Sequence, residues 1–211
     1  MSRVAKQNIR EKILEAAERR LWHYGIKKTT IDEIAADAGV GKGTVYLYFD
    51  SKEDISLAIF VSYKLGILRE QEEIARDSNL DTFEKIREFL LLPVLSAHLK
   101  CSESPEAQDL IAVLKPHLAD HLRPYIEKER QVLADILTDG IKLGDLSVDD
   151  PCSAARSLKL MTMGFMPPFP CVSGREAIER EIDLIVKLAI RGLAGRSPSQ
   201  ETDVVESGSG V

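Results

Sequence analysis

The chain has 211 residues, is 44% hydrophobic and 29% charged, and carries a net charge of −6. Those are the proportions of an ordinary globular protein, long enough for one large domain or two small ones. No run approaches the roughly 18 apolar residues of a membrane span, and the charged start MSRVAKQNIREK leads into no apolar stretch, so neither a membrane partner nor a signal peptide is expected and the expected location is cytoplasmic. Cys101, Cys152 and Cys171 are odd in number and widely spaced, which suggests neither a disulfide framework nor a zinc knuckle. Ordinary reduced thiols are favoured over a thiol sensor.

Residues 1–7 read as a mobile, partly basic arm. A first helix is expected from about Asn8 to Tyr24, where Ile9, Ile13, Ala16, Ala17 and Leu21 recur at helical spacing, with Asn8 as cap and Gly25 as stop. Thr30 followed by Glu33 is a capping-box pattern for a second helix carrying Ile31, Ile34 and Ala35. Gly39 supplies a left-handed stop, Val40 an apolar plug, and Gly41 opens a third helix of about Lys42 to Phe49. Two short helices around a glycine turn have the layout of a helix-turn-helix, whose second helix enters the DNA major groove.

Ser51 with Asp54 caps a long fourth helix, Lys52 to about Arg76, apolar on most of its circumference. Asp81 with Glu84 starts a fifth helix through about His98, interrupted at Pro93. Pro116 and Pro124 interrupt the next segment, and a helix runs from Tyr125 to Leu143. Asp149, Asp150 and Pro151 start another, MPPFPCVSG is a break, and a last helix spans Ser173 to about Ala194. Strand signals are nearly absent. The expected fold is all-α: an N-terminal three-helix DNA-binding head over 1–50, a larger helical body over 51–195, and a disordered tail over 196–211.

Charge divides along the same line. Residues 1–50 hold nine basic and seven acidic groups, +2, and the rest hold nineteen and twenty-seven, −8. A mildly basic head on an acidic body fits one DNA-facing end.

Candidate DNA contacts follow from the chemistry. Glycines at 41 and 43 let the third helix approach the sugar-phosphate backbone, where free N–H groups favour phosphate. Lys42 adds a full charge, the Thr44 hydroxyl reaches phosphate or a base edge, and Tyr46 and Tyr48 can donate to phosphate. Thr30 and Lys52 flank the groove, with Lys27 and Lys28 farther out. Val45 and Phe49 are expected in the core. Tyr46 and Tyr48 have packing as an alternative, and Lys42 has plain solvation. Few side chains remain to read bases, so part of the specificity is expected from DNA shape. GVGKGT is not a nucleotide loop, because Ala36 and Gly43 stand where the pattern needs glycine and Ser/Thr.

In the body, Met161, Met163, Phe165, Met166 and Phe169 suit an adaptable pocket, with an ordinary core stripe as the alternative. Phe60 and Tyr63 are candidate walls on the side facing the head. The candidate ligand pocket is therefore Phe60, Tyr63, Met161 and Phe165. His117 and His121 are an i, i+4 pair without a third ligand, and no catalytic constellation is recognisable, so no metal, cofactor or enzymatic activity is expected. Ala154, Ala155, Ala189 and Gly192 allow close helix approach, and a four-helix dimer interface is expected from residues 152–166 and 175–194 of two chains.

Over Ile13 to Ala58 the chain resembles the head of the tetracycline-repressor (TetR) family of bacterial transcriptional regulators. The resemblance rests on ILEAA, Tyr24-Gly25, Thr29-Thr30-Ile31, Ile34-Ala35, Ala38-Gly39-Val40, Lys42-Gly43-Thr44-Val45-Tyr46, Tyr48-Phe49 and Ser51-Lys52-Glu53. It implies a homodimer whose heads read a palindromic operator, and a larger helical ligand-binding and dimerisation domain over 51–195 that houses a small-molecule effector pocket. Beyond residue 58 only helicity, length and apolar stripes fit. Gly41 departs from the serine more often found as the cap, and Leu47, at the variable position, is apolar and suited to a thymine methyl. The resulting expectation is a ligand-released repressor. Within regulation the alternative is an activator or ligand-independent regulator. Outside it, the alternative is a helical small-molecule binding protein or enzyme with a vestigial head.

Overall fold

A computed structural model describes residues 3–103, 106–166 and 174–193. Among these are eight α-helices and no strand: α1 Arg3–Lys28, α2 Ile31–Asp37, α3 Lys42–Tyr46, α4 Lys52–Arg76, α5 Thr82–Glu103, α6 Glu106–Leu143, α7 Pro151–Thr162 and α8 Arg175–Leu193, with a 3-10 turn at Met163–Phe165 after α7. The break MPPFPCVSG and the tail lie largely or wholly outside the described residues.

Two apolar cores organise the chain. In the first, Ile13, Ala17 and Leu21 of α1 meet Ile34 and Ala35 of α2, Val45 and Phe49 around α3, and Ile55 and Ile59 of α4. The second joins Phe89, Leu90 and Val94 of α5, Leu133 and Leu137 of α6, Leu158 of α7, and Ile178 and Ile182 of α8. Helix α6 reaches both, because Leu114 is fully buried in the first core while Leu133 is fully buried in the second.

Several caps follow the local sequence. Ser51 Oγ accepts from the Asp54 amide at 3.0 Å, Asp81 and Glu84 bond each other's amides reciprocally at 2.8 and 2.9 Å, and Asp150 accepts from the amides of Cys152 and Ser153.

Two expectations are corrected, and the stop at Gly25 holds. Residues 3–7 are not an arm, because α1 starts at Arg3 rather than Asn8. The segment Val4–Lys12 contains no glycine or proline to stop helix propagation. Gly25 does break the helix, at φ 80°, ψ 164°, but helical residues resume through Lys28. A Cβ there would lie 2.9 Å from Glu106 Cγ at the start of α6, so glycine is required by conformation and by close approach. Pro93, Pro116 and Pro124 do not divide their helices: α5 and α6 run through them. A proline removes one backbone donor, whereas Leu90 and Val94 flanking Pro93 are 2% and 0% exposed, and this packing outweighs the local cost.

A buried polar group links four body helices. Gln71 of α4 donates from Nε2 to Phe89 O and to Glu129 Oε1, both at 3.0 Å, while Lys159 of α7 pairs with Glu129 of α6. Burial opposes the charge on Glu129, but the fields of Lys159 and Lys64 and the hydrogen bonds from Lys159 and Gln71 hold its carboxyl below the ordinary range. Burial outweighs the attraction of Glu129 at Lys159 and lowers its ammonium.

Candidate nucleic-acid interface

Helix α2 is positioned from both ends. At its start Thr30 Oγ1 accepts from the Glu33 amide at 3.3 Å, and Glu33 Oε2 accepts from the Thr30 amide at 2.8 Å. The same carboxylate accepts the Thr30 hydroxyl at 2.8 Å, so that hydroxyl is engaged within the cap. Hydrogen bonds from the Thr30 amide and hydroxyl, with Arg20 nearby, hold the Glu33 carboxyl below its usual range. Arg20 of α1 forks onto Asp37, Nε to Oδ2 at 2.5 Å and Nη2 to Oδ1 at 3.2 Å, and reaches Glu33 at 3.2 Å. The fork ties α2 to α1 in one orientation.

The turn to α3 is closed by backbone bonds. Gly39 takes φ 68°, and the Val40 amide donates to Ala35 O at 2.9 Å. Gly41 caps α3 without a side-chain bond, its carbonyl accepting from the Thr44 amide at 2.8 Å and the Val45 amide at 3.3 Å. The helix is shorter than the expected Lys42–Phe49. Leu47 and Tyr48 donate to the carbonyls of Thr44 and Val45, a tighter 3-10 pattern that ends it.

Val45 and Phe49 are 0% and 3% exposed and anchor this short helix. Arg10 of α1 stacks over the Phe49 ring at 5.1 Å. With that side seated, the opposite side is displayed: Leu47 is 82% exposed and Tyr46 48%. Gly43 has no atom within 4 Å of a Cβ built on it, so packing within the chain does not demand glycine there, and the bare backbone faces open space. Thr44 is half-buried, and Tyr48 is half-buried against the head core.

Two of the candidate cations are already engaged. Lys42 Nζ sits 2.7 Å from Asp32 Oδ2 on α2, and that hydrogen bond raises its pKa. Lys52 Nζ donates to Thr29 O at 2.8 Å, pinning the start of α4 to the turn before α2. Thus Lys42, Gly43, Thr44, Tyr46 and Leu47 gather on or beside α3, while Thr30 and Lys52 frame it through bonds within the head. The sequence reading missed Asp32 and Arg20, whose partners lie ten and seventeen residues away, a spacing with no local signal.

In the body, Phe60 and Tyr63 line a recess of about 100 Å³ together with Trp22, Ile67, Pro93 and Met166. Met161 and Phe165 do not join them. Met161 is 52% exposed, and Phe165 is 8% exposed within the body core, its carbonyl accepting from His98 Nε2 at 2.6 Å. The change from α to 3-10 geometry at Met163 breaks the four-residue spacing that would have aligned them. Cys101 lines the same recess, and burial pushes its thiol pKa up.

A rigid helix pair displaying one short helix beside a lysine-bearing turn, on an all-helical body, defines a helix-turn-helix DNA-binding transcriptional regulator. Residues 13–59 match the bacterial regulatory proteins of the tetR family. The chain is 30% identical over 145 residues to the uncharacterised HTH-type transcriptional regulator YhgD of Bacillus subtilis, spanning 66% of this chain and 72% of that one. It is 27% identical over 168 residues to the HTH-type transcriptional repressor BepR of Brucella suis, spanning 74% and 78%. The fold superposes on the transcriptional regulator FadR from Bacillus subtilis, solved in complex with stearoyl-CoA, with a TM-score of 0.58 at 20% identity over 87% of this chain and 98% of that one. This chain belongs to the tetR family of bacterial regulatory proteins.

Proposed function

We propose that the chain represses transcription as a cytoplasmic homodimer on a palindromic operator and is released by a small-molecule effector. The carrying observation is the display of Tyr46 and Leu47 beside Lys42 on a helix whose other side is fixed by Val45 and Phe49. Leu47 suits a thymine methyl, and Lys42, Thr44, Tyr46 and Tyr48 suit phosphate or base edges. Lys52 and Thr30 act by holding the frame. In this division residues 1–50 read DNA, 51–195 bind the effector and the second copy, and 196–211 form a tail.

Dimerisation is supported by the apolar side chains exposed on the last two helices and the turn between them: Leu160, Met161, Met163, Leu184 and Leu188 are each half exposed or more. They fall within the segments 152–166 and 175–194. Repression is supported by the repressor BepR among the relatives, and an effector by the stearoyl-CoA complex of FadR. Phe60 and Tyr63 are the proposed pocket walls.

A genomic fragment selection followed by gel shift tests this reading. Wild type should bind a palindromic duplex with steep salt dependence, and Lys42→Ala should lower the salt slope by about one. Failure to enrich any duplex refutes it.

A further inference from the structure

Resting on the reading that the body takes an effector, we propose that this effector is a small amphiphilic anion, an apolar chain or ring bearing one carboxylate, bound in the recess between Trp22 and α4–α5. Three observations carry the assignment.

The first is charge. Lys64 and Lys100 both line the recess, whose walls are otherwise mainly apolar. Lys64 is near enough to the buried Glu129–Lys159 pair to bias both groups. Glu129 and Lys159 form a neutral ion pair, and Lys64 adds a positive charge beyond it at the recess; Glu18, which accepts from Trp22 Nε1 at 3.3 Å, is exposed to solvent and screened. Lys100 lies over the Trp22 ring with Nζ 5.2 Å from its centroid, a contact that a carboxylate would replace by a stronger one. Glu70, whose field is felt at Tyr63, is exposed to solvent and screened.

The second is size. About 100 Å³ is less than the roughly 150 Å³ of an apolar cavity that accepts benzene, and far less than an ordinary ligand site. An apolar group can enter only if a wall yields.

The third is which wall. Tyr63 Oη donates to Ser96 Oγ at 2.9 Å, tying α4 to α5 beside the recess, and Gln71 ties them again at Phe89. Trp22 belongs to α1, the helix whose Arg20 fork orients α2. A ligand that parts Trp22 from α4–α5 therefore displaces the element that holds the DNA-reading helices. It also favours only the opened state, which is the condition for shifting an equilibrium.

Trp22 is the sole tryptophan of the chain, so its fluorescence reports on this wall alone. The full-length protein is titrated with 4-phenylbutyrate and octanoate, and with the matching alcohols 4-phenylbutanol and octanol, while operator binding is followed separately by anisotropy. The acids should change the emission saturably and bind about tenfold more tightly than the alcohols. Lys64→Gln and Lys100→Gln should each remove about tenfold of the acids' affinity and leave that of the alcohols within about twofold. Equal binding of acid and alcohol overturns the anion assignment, as does an acid affinity unmoved by both substitutions. No change in Trp22 emission at millimolar acid overturns the site. Saturable acid binding that leaves the operator complex intact keeps the ligand assignment and refutes the effector reading instead.

Discussion

Glu129 offers the sharpest quantitative test of the body's packing. Its side chain is 7% exposed and pairs with Lys159, itself 24% exposed, while Gln71 donates to the other carboxylate oxygen. Removing one partner of a buried ion pair costs about 3–5 kcal/mol because the other charge is left uncompensated. Two features reduce that figure for Lys159→Met: Lys159 is partly solvated, and Lys64 still faces the carboxylate. We expect a loss of about 2–3 kcal/mol. At about 2–4 °C per kcal/mol for a chain of this size, that is a fall in Tm of roughly 4–12 °C. Urea denaturation at fixed protein concentration measures it, the concentration being held because association adds to apparent stability. The double variant Glu129→Leu/Lys159→Met removes both charges and should recover to within about 1 kcal/mol of wild type, giving a large coupling energy in the cycle. The sign of the pH effect also follows. The Glu129 carboxyl is held below its unfolded value, so its contribution is complete above about pH 4.3 and is lost as pH falls from there through the depressed native pKa. A Lys159→Met variant within about 0.5 kcal/mol of wild type, with an unchanged acid limb, would refute the argument.

Gly25→Ala should cost about 1–3 kcal/mol, read as a lowered melting temperature, since alanine must adopt φ 80° and meet Glu106 Cγ at 2.9 Å. Asp32→Asn removes a carboxylate beside Lys42 and should tighten binding to any duplex, with an unchanged fold by circular dichroism; weaker binding would show that Asp32 orients Lys42 productively. Leu188→Glu, at a position 59% exposed on α8, should shift sedimentation toward a monomer without loss of helicity if that face joins two copies.

What was legible in the sequence is what short-range chemistry determines. The Thr30–Glu33 box, the Gly39 turn, the Ser51 and Asp150 caps and the bounds of α4 each need partners within a few residues, and each stands where the spacing places it. Buried stripes were legible for the same reason: Ile13, Ala17 and Leu21 share one face whatever the rest of the chain does. Long-range choices were not. Lys42 reads as a free cation until Asp32 is folded against it, and Lys52 as a phosphate ligand until Thr29 O accepts its ammonium. The prolines of α5 and α6 signal interruption by local cost alone, and only the cores on either side reverse that preference. Met161 and Phe165 share a face only if the helical period runs on past Thr162, where the backbone changes geometry.

Leu114 sits in the head core although it belongs to α6, 68 residues beyond the end of α3. Partly buried Leu118 packs on the same core one turn later. A graft that joined a foreign head at Asp50 would therefore meet a surface shaped for Ile13, Leu21 and Val45, and the excised head would expose the face that Leu114 covers. Specificity in this chain is not transferable as a cassette: exchanging the DNA-reading segment requires exchanging the first half of α6 with it.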